Sequence, residues 1–166
     1  LMLWSDADIN GTGNEGVNVI RGNDGKNILR GMGGHDTLLG DLGNDTLYGG
    51  AGNDDLFGGD GDDWLYGDAG DDHLYAQGGT NRMYGGEGND LLEGWVGGRN
   101  TLAGGTGDDQ YVIANTGATV IELVGEGVDT LRTSVSFDIG VGNHIEILNT
   151  TDADGTTAIN IFGSDI

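Results

Sequence analysis

The chain has 166 residues, of which 36 are glycine and none is proline or cysteine. Glycine at about 22% excludes a helical bundle, since each interior helix position it took would cost roughly 1 kcal/mol relative to alanine; the missing proline and cysteine exclude collagen-like and disulfide-stapled folds. Six Lys+Arg against 28 Asp+Glu give a net charge of −22, which argues against nucleic acid and anionic membranes as partners and for cations.

Residues 1–12 read as a leading strand and amino-terminal cap. Leu1-Met2-Leu3-Trp4 has no basic n-region and no small-residue cleavage site, so no amino-terminal signal peptide is visible and the chain reads as an excised piece. No run approaches the roughly 18 apolar residues of a membrane-spanning helix. Two motif matches here are set aside. Asp6-Ala7-Asp8-Ile9-Asn10-Gly11 resembles the opening of an EF-hand loop, but its twelfth position is Val17 where a bidentate Glu is needed. Gly11-Thr12-Gly13-Asn14-Glu15-Gly16 fits G-x-G-x-x-G without the strand before and helix after that a dinucleotide site requires.

From Gly13 to Val112 the chain falls into eleven nonapeptides and one extra residue near Gly94. Clear copies are Gly49 to Phe57, Gly58 to Tyr66 and Gly85 to Glu93, with the pattern G-G-x-G-x-D-x-U-x, U being apolar. Each copy divides into a six-residue turn and a three-residue strand. Glycines at positions one, two and four permit positive φ and close backbone approach, and position eight points one apolar side chain inward. That inner row is Ile20, Leu29, Leu38, Leu47, Leu56, Leu65, Leu74, Met83, Leu92, Leu102 and Tyr111. One buried residue in nine cannot close a core alone, so repeats must stack, two per coil, into two parallel sheets whose inner rows meet. The expected fold is all-β: a right-handed parallel β-roll with a carboxyl-terminal strand cap.

With this register the segment resembles the calcium-binding β-roll of the RTX (repeats-in-toxin), hemolysin-type family, whose nonapeptide signature it carries. The resemblance implies calcium as cofactor, secretion through a type I system, and folding triggered by calcium outside the cell. Calcium takes six to eight oxygens in a forgiving geometry. With two nonapeptides per coil, turns n and n+2 stack on one edge, and an ion between them would be held by two position-six carboxylates plus carbonyls. One edge carries Asn18, Asp36, Asp54, Asp72, Asp90 and Asp109; the other carries Asn27, Asp45, Asp63, Asn81 and Asn100. Five two-carboxylate sites are expected: Asp36/Asp54, Asp54/Asp72, Asp72/Asp90, Asp90/Asp109 and Asp45/Asp63. Asn18/Asp36, Asn27/Asp45 and Asp63/Asn81 keep one carboxylate and are expected to bind more weakly, and Asn81/Asn100 keeps none. The resemblance assigns the carbonyls mostly to glycines: Gly34, Gly43, Gly50, Gly52, Gly59, Gly61, Gly70, Gly86 and Gly88. Sites closed in this way leave no open position for substrate, so the ions are read as staples and the module as non-catalytic.

His35, His73 and His144 are too scattered for a zinc motif, and paired acids such as Asp62-Asp63 do not flank a bond as glycosidase carboxylates must. Position nine faces outward and places Tyr48, Tyr66 and Tyr84 on one sheet and Phe57 and Tyr75 on the other, one coil rise apart. They are expected to stack as ladders that stiffen the sheets. A second reading makes them a polysaccharide platform, as in the roll modules of alginate epimerase-like enzymes or a surface adhesin. Position three carries no row of threonine or asparagine of the kind ice binding would call for.

Beyond Val112 the period is lost, and runs such as Thr119 to Leu123, Asp129 to Thr133, Ser136 to Ile139 and Ile145 to Leu148 read as strands. Residues 113–166 are expected to cap the roll or to connect it to a further unit. The second possibility rests on a resemblance between the ends: Leu1-Met2 and Asp6-Ala7-Asp8 align with Ile147-Leu148 and Asp152-Ala153-Asp154, and Ile9-Asn10 and Gly13 with Ile159-Asn160 and Gly163. On this reading the chain is about one period of a tandem array in a larger protein, secreted or displayed on the bacterial surface.

Overall fold

The computed structural model describes residues 7–95, 98–140 and 142–150, and the backbone of 161–163. Among them are seventeen strands and no helix: β1 (Gly11–Thr12), β2 (Val19–Asn23), β3 (Ile28–Gly33), β4 (Thr37–Asp41), β5 (Thr46–Ala51), β6 (Asp55–Gly59), β7 (Trp64–Ala69), β8 (His73–Gln77), β9 (Arg82–Glu87), β10 (Leu91–Gly94), β11 (Thr101–Thr106), β12 (Gln110–Ile113), β13 (Thr119–Ile121), β14 (Thr130–Thr133), β15 (Phe137–Gly140), β16 (Ile147–Thr150) and β17 (Ile161–Gly163). The odd strands from β1 to β13 make one parallel sheet and the even strands from β2 to β16 a second, each in simple numerical order. Up to β14 consecutive strands alternate between these sheets, in each of which neighbours lie two places apart, and β15 with β17 forms a separate parallel pair. This is the parallel β-roll that two nonapeptides per coil dictate.

The register aligns position eight with position eight. Leu29 lies opposite Leu47, Leu47 opposite Leu65 and Leu65 opposite Met83 in one sheet; Leu38, Leu56, Leu74, Leu92 and Tyr111 line up likewise in the other. Every residue of the expected inner row is at most 1% exposed. A buried leucine contributes about 1.5–3 kcal/mol, whereas ordering the backbone costs about 1–2 kcal/mol per residue. The inner rows therefore cannot hold nine-residue repeats together by themselves, and the strand ladders and the turns must supply the rest of the cohesion.

In the turns, glycine is dictated by space as well as conformation. Gly61, at position four, has φ +144°, and a Cβ there would run into the carbonyl of Gly43 one coil back. From Met32 to Gly86 position two is left-handed in every copy, even where it is not glycine, as at Met32 (φ +93°), Asp41 (+75°), Asp68 (+76°) and Gln77 (+61°). Coil geometry overrides side-chain preference at these four places.

The sheets run on past Val112. β13 pairs with β11, β14 with β12 and β16 with β14, all parallel, so the first tail strands prolong the stack. Val120 and Leu131 continue the buried rows, and Phe137 joins the same core with Ile139 and Ile145 packed against it. Leu1 to Asp6 and Thr151 to Asn160, which carry most of the end-to-end resemblance, lie outside the described residues.

Candidate metal centres

Position six of each repeat closes the turn just before a strand, and its side chain folds back into the turn. The consequence is a ladder between coils. The backbone N–H of Asn18 donates to Asp36 Oδ1 at 2.7 Å, Asp36 to Asp54 at 2.6 Å, Asp54 to Asp72 at 2.7 Å, and Asp72 to Asp90 and Asp90 to Asp109 at 2.8 Å each. On the other edge Asn27 donates to Asp45, Asp45 to Asp63 and Asp63 to Asn81, all at 2.8 Å. All these position-six side chains are buried except that of Asn18, which is half-buried.

Each aspartate spends one oxygen on this ladder. The second oxygens of Asp36, Asp45, Asp54, Asp63, Asp72, Asp90 and Asp109 are buried without a hydrogen-bond partner. They point into a gap that the position-one glycine leaves open. A Cβ on Gly31 would meet Asp36 Oδ2 and, at 2.5 Å, the Gly49 carbonyl of the next coil; on Gly49 it would meet Asp54 Oδ2 and, at 2.8 Å, the Gly67 carbonyl. Gly40, Gly58, Gly67 and Gly85 repeat the arrangement with Asp45, Asp63, Asp72 and Asp90. Anionic oxygen and carbonyl oxygen thus converge on one small gap per turn with no donor between them, and a hard cation is the group that satisfies such a set.

Burial dominates the electrostatics of these carboxylates. Burial pushes Asp45 and Asp109 up to about 7, Asp54, Asp63 and Asp90 to about 6, and Asp72 to about 8, while the N–H from the preceding coil pulls each down. Neighbouring acids add to the rise: Asp36 acts on Asp54, and Asp90 with Asp54 on Asp72.

Asn81 departs from this chemistry in two coupled ways. Its Nδ2 donates to the Gly78 carbonyl at 2.8 Å and the Ala76 carbonyl at 3.4 Å, so an amide occupies the acceptors that other coils leave free. Its repeat also begins with alanine, which fills the gap that glycine leaves elsewhere. Asn27 likewise satisfies itself, through Nδ2 to the Ile9 carbonyl at 2.8 Å.

The structure brings together the position-six residues at the spacing the sequence implies. The glycines named for their carbonyls, Gly34, Gly43, Gly50, Gly52, Gly59, Gly61, Gly70, Gly86 and Gly88, all have positive φ and stack glycine on carbonyl, and the Gly59 carbonyl already accepts from Gly78 at 2.9 Å. The carbonyls facing the unpartnered oxygens belong to position one, a set that the sequence pattern alone does not single out.

Two further features are not evident from the pattern. Position five forms an outer ladder of opposite sense, in which Asp62 N–H donates to Asn44 Oδ1 at 2.9 Å, Thr80 N–H to Asp62 Oδ1 at 2.7 Å and Asn89 N–H to Asp71 Oδ1 at 2.8 Å. This explains the second acid of pairs such as Asp62-Asp63. Asp129 continues the inner ladder, accepting from Asp109 N–H at 2.9 Å across 20 residues. A signal for it exists: Val124-Gly125-Glu126-Gly127-Val128-Asp129-Thr130-Leu131-Arg132 is a nonapeptide lacking only its first glycine. Burial, with Asp129 beside it, pushes nearby Glu122 up to about 8.

On the outer face, Tyr48, Tyr66 and Tyr84 stack at 4.9 and 5.1 Å with planes 6° and 8° apart. Arg30 covers Tyr48, and Trp64 packs on Tyr66 and Tyr84. On the opposite sheet Phe57 and Tyr75 do not stack but meet edge-on, at 82°, and the His73 ring lies against both.

A family model described as the RTX calcium-binding nonapeptide repeat matches the chain in four copies, over residues 12–47, 32–65, 57–92 and 96–111. No curated protein matches it.

Proposed function

The chain belongs to the family of RTX calcium-binding nonapeptide repeats and is a calcium-binding β-roll, and from that premise we propose that it is the calcium-folded, non-catalytic module of a larger bacterial protein secreted by a type I route. The observation that carries this is the file of seven buried carboxylate oxygens without partners. In the ion-free chain these charges oppose folding; five ions between Asp36/Asp54, Asp54/Asp72, Asp72/Asp90, Asp90/Asp109 and Asp45/Asp63 would neutralise them, with up to three weaker ions at Asn18/Asp36, Asn27/Asp45 and Asp63/Asn81. The position-six aspartates would supply charge, and turn carbonyls the remaining oxygens. Because the set is buried, the ion acts as a bridge between coils.

Millimolar extracellular calcium would then separate an unfolded chain inside the cell from a folded roll outside it. Burial of Phe137 in the same core supports a capping role for residues 113–166 at the carboxyl-terminal end. For the aromatic ladder, stiffening is favoured over polysaccharide binding, since Tyr48, Tyr66 and Tyr84 spend their ring faces on one another; glycan-array binding separates the two. The main test is circular dichroism at pH 8, in EDTA and after calcium is restored: β-structure is expected there only with calcium, and native-like spectra in EDTA at that pH refute the proposal.

A further inference from the structure

The stack of cradles ends differently from the way it runs. Above Gly104, where β11 and β13 pair Leu102 with Val120 and Ala103 with Ile121, the next residue in register is Glu122, in the slot that position-one glycines such as Gly49 and Gly67 hold in lower coils. The Glu122 carboxylate is fully buried and accepts from the Tyr111 hydroxyl. One ligand oxygen from each of Asp109, Glu122 and Asp129 lies within 4.8 Å of the others, and all three residues are at most 1% exposed.

A second, independent observation points to a ligand: Asp109 Oδ2 has no hydrogen-bond partner. It shares the gap over Gly104 with the Tyr111 hydroxyl, where other coils present a carbonyl. Among the described residues no basic side chain forms an ion pair with any of the three acids.

We propose that Asp109, Glu122 and Asp129 form a further site for a hard cation of calcium's class, at the junction of repeat array and tail, in which Glu122 adds a third carboxylate from the position-one slot. This rests on the calcium-module reading and extends it beyond Val112. The repeat sites share each aspartate with a neighbouring ion, whereas this one has two acids, Glu122 and Asp129, beyond the last shared residue. Affinity for calcium rises with ligand charge, so this site fills first as calcium is added and holds a trivalent lanthanide in preference to the two-carboxylate sites.

The test is an anomalous-scattering map of the intact chain crystallised in calcium and soaked briefly in terbium. Density touching the Asp109, Glu122 and Asp129 carboxylates, with terbium entering there first, supports the site. Ions along Asp36 to Asp90 with none at the junction overturn it and leave the calcium-module reading intact; no ion anywhere overturns both. In solution, E122Q keeps an acceptor for Tyr111 while removing the charge. Calcium affinity at that site is expected to fall roughly tenfold, to the level of the two-carboxylate sites, and the terbium preference for the junction to be lost; an unchanged affinity and preference overturn the assignment. The wild-type map decides the matter if E122Q does not fold.

Discussion

The backbone N–H of Asp36 donates to Oδ1 of Asp54 at 2.6 Å, while Oδ2 of the same Asp54 is buried without a partner. One carboxylate thus ties its coil to the previous one through a hydrogen bond, and in the proposed function its other oxygen is the one that takes an ion. Asparagine can perform the first task and fails at the second.

That division predicts the outcome of swapping the two residue types. Asp54→Asn keeps the rung to Asp36 but takes a carboxylate from two adjacent sites, and the calcium midpoint for folding should rise roughly tenfold. Conversely, Asn81→Asp combined with Ala76→Gly removes the amide donor and reopens the gap, so one additional tightly held ion is expected by equilibrium dialysis. Asn81→Asp alone should give less, because the alanine methyl remains. A calcium-bound crystal with full occupancy at Asn81/Asn100 in the unmodified chain would contradict the scheme.

Protons should partly replace calcium. In the ion-free roll, burial raises Asp45, Asp54, Asp63, Asp72, Asp90 and Asp109 from 3.8 to between about 6 and about 8. Between these limits the folded state binds more protons than the unfolded one, so calcium-free stability increases as pH falls and is lost as pH rises through the folded values. In EDTA, β-structure should grow on going from pH 8 to pH 5; calcium affinity should move the opposite way, since binding requires the carboxylates ionised. A flat or reversed EDTA profile by circular dichroism would show that the buried acids do not govern folding.

Magnesium should not substitute. It demands a tight octahedron and gives up its waters reluctantly, whereas the gaps offer carboxylate and carbonyl oxygens from two separate coils. Refolding by magnesium at matched concentration, followed by circular dichroism, would refute this.

Glycine positions should differ sharply in tolerance. Gly61→Ala would drive a methyl into the Gly43 carbonyl at φ +144°, and a loss of at least about 3 kcal/mol is expected in the calcium-loaded chain. Gly125, with φ +83° and open space where a Cβ would stand, nothing lying within 4 Å, should cost only about 1 kcal/mol on changing to alanine. Met32→Gly relieves a left-handed non-glycine residue on the surface and should stabilise by roughly 0.5–1 kcal/mol. Thermal melts in calcium measure all three.

The inner row from Ile20 to Tyr111 and the position-six ladder are legible in the sequence because a coil of two nonapeptides converts sequence period directly into contact. What is not legible has a different kind of spacing. Asp129 follows Asp109 by 20 residues, yet Thr130 N–H still donates to the Asp109 carbonyl at 2.9 Å, as Thr37 does to Asn18 at the same distance. The turn absorbs two extra residues without disturbing the strands, so a fixed period loses the repeat where the fold keeps it. The position-one carbonyls are hidden for another reason: every glycine in the pattern offers one, and only the stacking of coils shows which of them face the unpartnered oxygens.

The inner and outer ladders run in opposite directions: at position six a coil donates upward to the next, and at position five it accepts from it. Each coil is therefore a template with complementary faces, and any exposed end leaves unmet groups of both kinds. Stability should then scale with uninterrupted length, as in a one-dimensional lattice with nearest-neighbour coupling. A fault at Asp72, in mid-stack, splits the lattice into two short stubs with four ends, whereas the same fault at Asp36 trims a single terminal unit.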